Sequence, residues 1–162
     1  MSGHLAAIPY LDRPSDTNVS QLAPVGSLRQ HVDKTLGFQI LRSVKATSAI
    51  TKYELCQYDT GSSETVVKST TDKQKAINCA GFAVASIAAG SYGWVVCAGQ
   101  AYALGHSSMG LGASILSSTT AGRVDDLAVG SGESLAVLGA CTDVTGWSTA
   151  GDKITIRVSN LV

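Results

Sequence analysis

The chain has 162 residues, a mass of 16.6 kDa, and 12 basic against 12 acidic side chains. A single domain of this length buries a core without disulfides or metal. Charge balance, with charged residues at only 15%, excludes the clustered Lys and Arg of a nucleic-acid-binding surface, and the abundance of small residues favours tightly packed β structure.

Residues 1–36 hold all three prolines, at 9, 14 and 24, and sustain no helical stripe. Ile8, Tyr10, Leu11, Leu22 and Leu28 are too apolar for a solvated tail. The segment reads as an extended N-terminal arm, laid either on its own domain or across a neighbouring subunit. Its start lacks a basic residue followed by an apolar run, so no export signal is expected and the chain is expected to be made and used in a cytoplasm.

Residues 37–162 read as one β-rich domain. "GFQILRSVKA" alternates Phe38, Ile40 and Arg42 against Gln39 and Leu41, and "AITKYELCQYDTG" alternates Ile50, Lys52 and Glu54 against Thr51, Tyr53 and Leu55. Period two predicts strands in both. "VVKSTTDKQKA" is compatible with a strand, a loop or a short helical turn from Thr71.

Residues 76–122 contain no Asp, Glu, Lys or Arg, which raises the question of a membrane span. Recurrent glycines, alternating apolar residues and the lack of a flanking basic cluster argue against one. The prediction is a series of short strands broken at glycine: "AGFAVASI", "YGWVVCAG", "QAYALG" and "GASILSS", with turns at "AAGS" and "TTAGRVDD". "SLAVLGACTDV" and "DKITIRVSNLV" follow, the latter with Ile154, Ile156 and Val158 on one side. Short strands at this spacing predict a mainly β fold, a compact β-sandwich or β-barrel-like domain.

No catalytic constellation emerges. His106 beside Ser107 and Ser108 could suggest a hydrolase, but adjacent side chains on a strand diverge and the nucleophile-elbow pattern is missing. Asp125 and Asp126 read as a turn or a strand end, and "GSGES" at 130–134 lacks the lysine and helix of a phosphate loop. Cys56, Cys79, Cys97 and Cys141 lack metal-site spacing and read as buried thiols. Trp94 lies in an alternating apolar run and reads as core or subunit interface. The chain is expected to be no enzyme, with no catalytic, metal or cofactor residues.

"IAAGSYGWVVCAGQAYAL" resembles the core motif of small virion proteins of tailed bacteriophages, in which a glycine turn leads into an aromatic-Gly-Trp-Val strand. "ILRSVKATSAITKYELCQYD" is similar to their earlier paired strands. "TTAGRVDDLAV" is similar to the turn after the motif, and "LAVLGACTDV" to the penultimate strand. The resemblance spans residues 37–162. The chain departs from it in its four cysteines, with Cys97 where a small or polar residue is usual.

The resemblance implies a capsid decoration or cement protein, trimeric and non-enzymatic. It would bind the outside of the virion capsid and stabilise contacts between major capsid protein subunits, without contacting nucleic acid or membrane. The expected capsid or inter-subunit contacts are Ile8, Tyr10, Leu11, Leu22, Leu28, Tyr92 and Trp94. A second reading is a fibre-type or lectin-like module recognising host surface glycan, which requires aromatic and carboxylate side chains around one pocket.

Overall fold

Alternation becomes strand over most of the described residues. The computed structural model describes residues 23–59, 65–68, 78–106, 109–126, 137–143 and 153–158. Ten strands occupy these residues: β1 Leu28–Asp33, β2 Gly37–Ala46, β3 Leu55–Tyr58, β4 Thr65–Lys68, β5 Cys79–Ala83, β6 Tyr92–Leu104, β7 Ser114–Ser117, β8 Val124–Asp126, β9 Gly139–Asp143 and β10 Lys153–Val158. The mainly β architecture predicted from sequence is the one found. No helix among the described residues is long and apolar enough to cross a membrane.

Strand pairing closes a five-membered ring. β2 pairs with β4 in parallel, β4 with β3, β3 with β5, β5 with β6, and β6 returns antiparallel to β2. A ring this small has room inside only for compact side chains. Val44, Ala46, Cys56, Val66, Ala80, Ala83 and Val95 fill it, with Ile50 and Ile87 in the same cluster. Ile50 and Ile87 exchange both backbone hydrogen bonds, each 2.9 Å long. The Ala, Val and Cys content of the sequence is thus a consequence of barrel radius.

β6 serves a second ring as well. Its C-terminal half, Gly99–Leu104, pairs with β10, and the sheet continues through β9 and β7 to β8. β8 comes back to the end of β6 through the parallel bridge Gly105–Val124, where His106 N–H donates to the Val124 carbonyl at 2.8 Å. Ile115, Val124, Leu138, Ile154, Ile156, Ala101 and Ala103 form its core. The same cluster extends without a break to Leu41, Leu55, Phe82, Trp94 and Val96, which project from the outer wall of the first ring.

Two glycines make this possible. "YGWVVCAG" and "QAYALG" read as separate strands in the sequence, yet β6 runs through both. Gly99 lies at φ +97° beside the register shift in the β2–β6 ladder. The strand therefore bends from one ring to the other instead of ending. A Cβ at Gly99 would stand 2.3 Å from the Phe38 carbonyl oxygen. At Gly81, φ +139°, it would stand 2.2 Å from the Val96 carbonyl oxygen. Both sites require close backbone approach that no other residue permits.

The strand predicted over "AITKYELCQYDTG" starts later than its alternation suggests. Thr51–Glu54 is a turn closed by Glu54 N–H to the Thr51 carbonyl at 3.1 Å, and β3 begins only at Leu55. In β2, Leu41 and Val44 are fully buried while Phe38 is 53% exposed, because the strand extends beyond the rings toward β1.

Candidate functional site

Two surface features carry chemistry or contact potential: an aromatic cleft and an apolar ribbon face. The cleft is built around the turn at Thr51–Glu54. Its third residue, Tyr53, has φ +71°, the only positive φ among the described non-glycine residues. Turns that need a left-handed third residue take glycine there by preference. A bulky side chain in that conformation costs about 1–2 kcal/mol. The buried Glu54 side chain helps hold the turn, accepting the Thr51 N–H at 2.7 Å, and Tyr53 N–H donates to the Ala83 carbonyl at 2.9 Å.

The strained turn aims Tyr53 at Tyr102 on β6. Their ring centroids are 5.2 Å apart at 64°, an edge-to-face corner. Two ammonium groups flank it. Lys52 Nζ lies 4.8 Å from the Tyr53 centroid, and Lys153 Nζ lies 4.0 Å from the Tyr102 centroid and 6.0 Å from that of Tyr53. Exposed contacts of this kind are worth only about 0.5–1 kcal/mol each, so both lysines can leave the rings at little cost.

Around the corner lies a two-lobed cleft. One lobe, about 230 Å³, is bordered by His31, Asp33, Gln39, Tyr53, Val84 and Tyr102. The other, about 380 Å³, is bordered by Thr35, Gln100, Thr142, Asp143, Lys153 and Thr155. Leu36 and Tyr102 belong to both lobes. Asp33 accepts the Thr35 N–H at 2.7 Å and the Leu36 N–H at 2.9 Å. The Leu36 N–H is the main reason its carboxyl titrates below the ordinary range. Gln39 Nε2 donates to the Gln100 carbonyl at 2.6 Å and ties the floor of one lobe to the edge of the other.

The second feature is the β1–β2 ribbon. β1 pairs only with β2 among the described strands, so its other edge has no strand partner there. Leu28 (47% exposed), Val32 (71%) and Phe38 (53%) share one face, with Val32 directly opposite Phe38. The opposite face carries Arg29, whose guanidinium stacks 4.5 Å from the Trp94 ring centroid.

Of the contact residues expected from sequence, Leu28 lies on this exposed face. Tyr92 is half-buried with Lys45 Nζ 5.5 Å from its ring centroid, and Trp94 is 4% exposed within the main core cluster. Ile8, Tyr10, Leu11 and Leu22 lie outside the described residues, as do Ser107 and Ser108. His106 Nδ1 is 3.0 Å from the Thr120 hydroxyl, and Asp125 Oδ1 accepts the Asp126 N–H at 3.0 Å. All four cysteines are buried free thiols, and no group of three or more His, Cys, Asp or Glu could hold a metal ion among the described residues. Burial pushes the Cys79 thiol up to about 12 and raises the Cys56 thiol as well.

Sequence reasoning missed the cleft. Its residues come from six separated segments, and only the lone Tyr in a polar "TKYE" stretch hinted at an aromatic outside the core.

No protein-family model matches the chain, and neither does the sequence of any curated protein. Among solved structures, the chain is similar to the N base of the head fibre gp8.5 of bacteriophage phi29. The match has a TM-score of 0.52 and 17% sequence identity, and it covers 74% of this chain and 93% of that one. It is a likeness of fold.

Proposed function

We infer that the chain is a non-enzymatic structural protein of a phage virion, bound to the outside of the capsid. The observation that carries this reading is the fold shared with a head-fibre base over nearly the whole length of that base. The sequence resemblance to small virion proteins points the same way.

The contact surface in this reading is the β1–β2 ribbon. A strand edge with no strand partner among the described residues, beside Leu28, Val32 and Phe38, offers backbone hydrogen bonds and apolar area together, the combination used when a sheet edge accepts a neighbouring chain. The major capsid protein is the proposed partner, and the proposed role is to stabilise joints between its subunits as a decoration protein. Assembly as a homotrimer multiplies a modest contact, since each copy adds its own interface.

The test is binding of the purified chain to heads that lack it, followed by cryo-electron microscopy of the occupied shells. Density for the two-ring domain on the outer surface, with β1 toward the shell, is the expected result. A triple variant, Leu28→Ser, Val32→Ser and Phe38→Ser, should keep its melting temperature and lose binding. Full occupancy by that variant would refute the ribbon as the contact surface, and failure of the wild type to bind any head would refute the capsid role.

A further inference from the structure

We propose that the Tyr53–Tyr102 cleft is a binding site for an acidic saccharide, separate from the capsid-binding ribbon. Three independent observations converge on it.

The first is the strained tyrosine. Tyr53 occupies a left-handed position where glycine would hold the same turn without strain. Its ring is half-buried and serves no core cluster; it borders the cleft and meets Tyr102 edge to face. Strain of this kind persists where the surrounding structure enforces it, and it concentrates at ligand sites.

The second is the shape of the aromatic corner. Two tyrosines at 64° offer apolar ring faces in two orientations and hydroxyls at their tips. A sugar ring presents complementary surfaces: an apolar C–H face to stack on an aromatic ring and equatorial hydroxyls to hydrogen-bond at its rim. The larger lobe is lined mainly by hydroxyl, amide and carboxylate groups from Thr35, Gln100, Thr142, Asp143 and Thr155. That lining suits a chain of hydroxyls better than the apolar side chains of a peptide. At about 230 and 380 Å³ the two lobes together reach the size of small-ligand sites, and Leu36 and Tyr102 line both, which gives room for more than one sugar unit.

The third is charge. Lys52 and Lys153 bracket Tyr53, and the carboxylate that lines the smaller lobe, Asp33, is engaged by the Thr35 and Leu36 amides. Two exposed ammonium groups, held only by weak ring contacts, are placed to swing onto carboxylates or phosphates of a ligand that displaces them from the tyrosine faces. Asp143 lines the second lobe across from Thr155, where its carboxylate oxygens face the space that sugar hydroxyls would fill.

Calorimetric titration of the full chain with polygalacturonate, hyaluronate and alginate, beside neutral dextran, tests the proposal. Binding to at least one acidic polymer, with none to dextran, is the expected result. Tyr53→Gly removes the ring while suiting the backbone, so it should keep or raise the melting temperature and weaken binding at least tenfold. Lys52→Gln with Lys153→Gln should do the same and abolish the salt dependence.

Absence of binding to all three acidic polymers, equal binding to dextran, or unchanged affinity in these variants overturns the proposal. So does loss of head binding by Tyr53→Gly, which would turn the cleft toward the capsid protein. Head binding by wild type and Tyr53→Gly alike, with saccharide binding lost only in the latter, separates this site from the ribbon.

Discussion

Trp94→Ala is the sharpest perturbation of the core. Trp94 is 4% exposed, sits where the outer wall of the first ring meets the core of the second, and carries the Arg29 guanidinium on its face. A buried Trp removes about 150–250 Å² from water, which at roughly 25 cal/mol per Å² sets an upper figure of about 4–6 kcal/mol. Alanine retains some of that area and the walls relax into part of the void, so the expected loss is about 3–5 kcal/mol. For a domain of this size that lowers the melting temperature by roughly 6–20 °C. Urea unfolding followed by far-ultraviolet circular dichroism is the appropriate assay, because removing Trp94 alters the fluorescence signal itself. A loss below about 1 kcal/mol would refute the placement of Trp94 in a shared core. An equal loss in Arg29→Ala alone would instead assign the effect to the arginine.

Three further outcomes follow from the same structure. Gly81→Ala, whose Cβ would meet the Val96 carbonyl at 2.2 Å with φ +139°, should cost more than about 3 kcal/mol or prevent folding, read from soluble yield and melting. The four thiols should resist iodoacetamide at pH 8 in the native protein and react fully in urea, since burial raises each of them; rapid native labelling of Cys56 or Cys79 would contradict their placement. Asp33→Ala should cost about 1 kcal/mol at neutral pH, by loss of the Leu36 and Thr35 hydrogen bonds. Because the folded carboxyl titrates below its ordinary value of 3.8, the unfolded chain binds the proton more readily. The stabilisation is therefore complete above that value and fades as pH falls through the folded one, so the gap between variant and wild type should close in acid.

What the sequence made legible depended on alternation. β2 matches the span "GFQILRSVKA" residue for residue, and β10 buries Ile154, Ile156 and Val158 as their spacing implies. The misreadings have local physical causes. Gly99 reads as a break, yet a register shift uses the same conformational freedom to let a strand continue. Tyr53 reads as a strand residue because nothing in "TKYE" announces a left-handed turn. The two rings were hidden because closure depends on pairings between distant segments, β2 with β4 in parallel and β6 with β10. The cleft was hidden for the same reason: Asp33, Tyr53, Tyr102 and Lys153 meet only after both rings have formed.

The sharing of β6 imposes an order of assembly. Every strand of the first ring precedes residue 105, so that ring can close while the rest of the chain is still being synthesised. The second ring cannot start on its own, because its founding strand is the far half of β6 and its key partner, β10, lies some fifty residues further along the chain. Until β10 arrives, Leu41, Phe82, Trp94 and Val96 form an uncovered apolar wall on an otherwise finished barrel. Chains that lack β10 therefore carry a sticky flank, and their solubility is decided by the arrival of that strand.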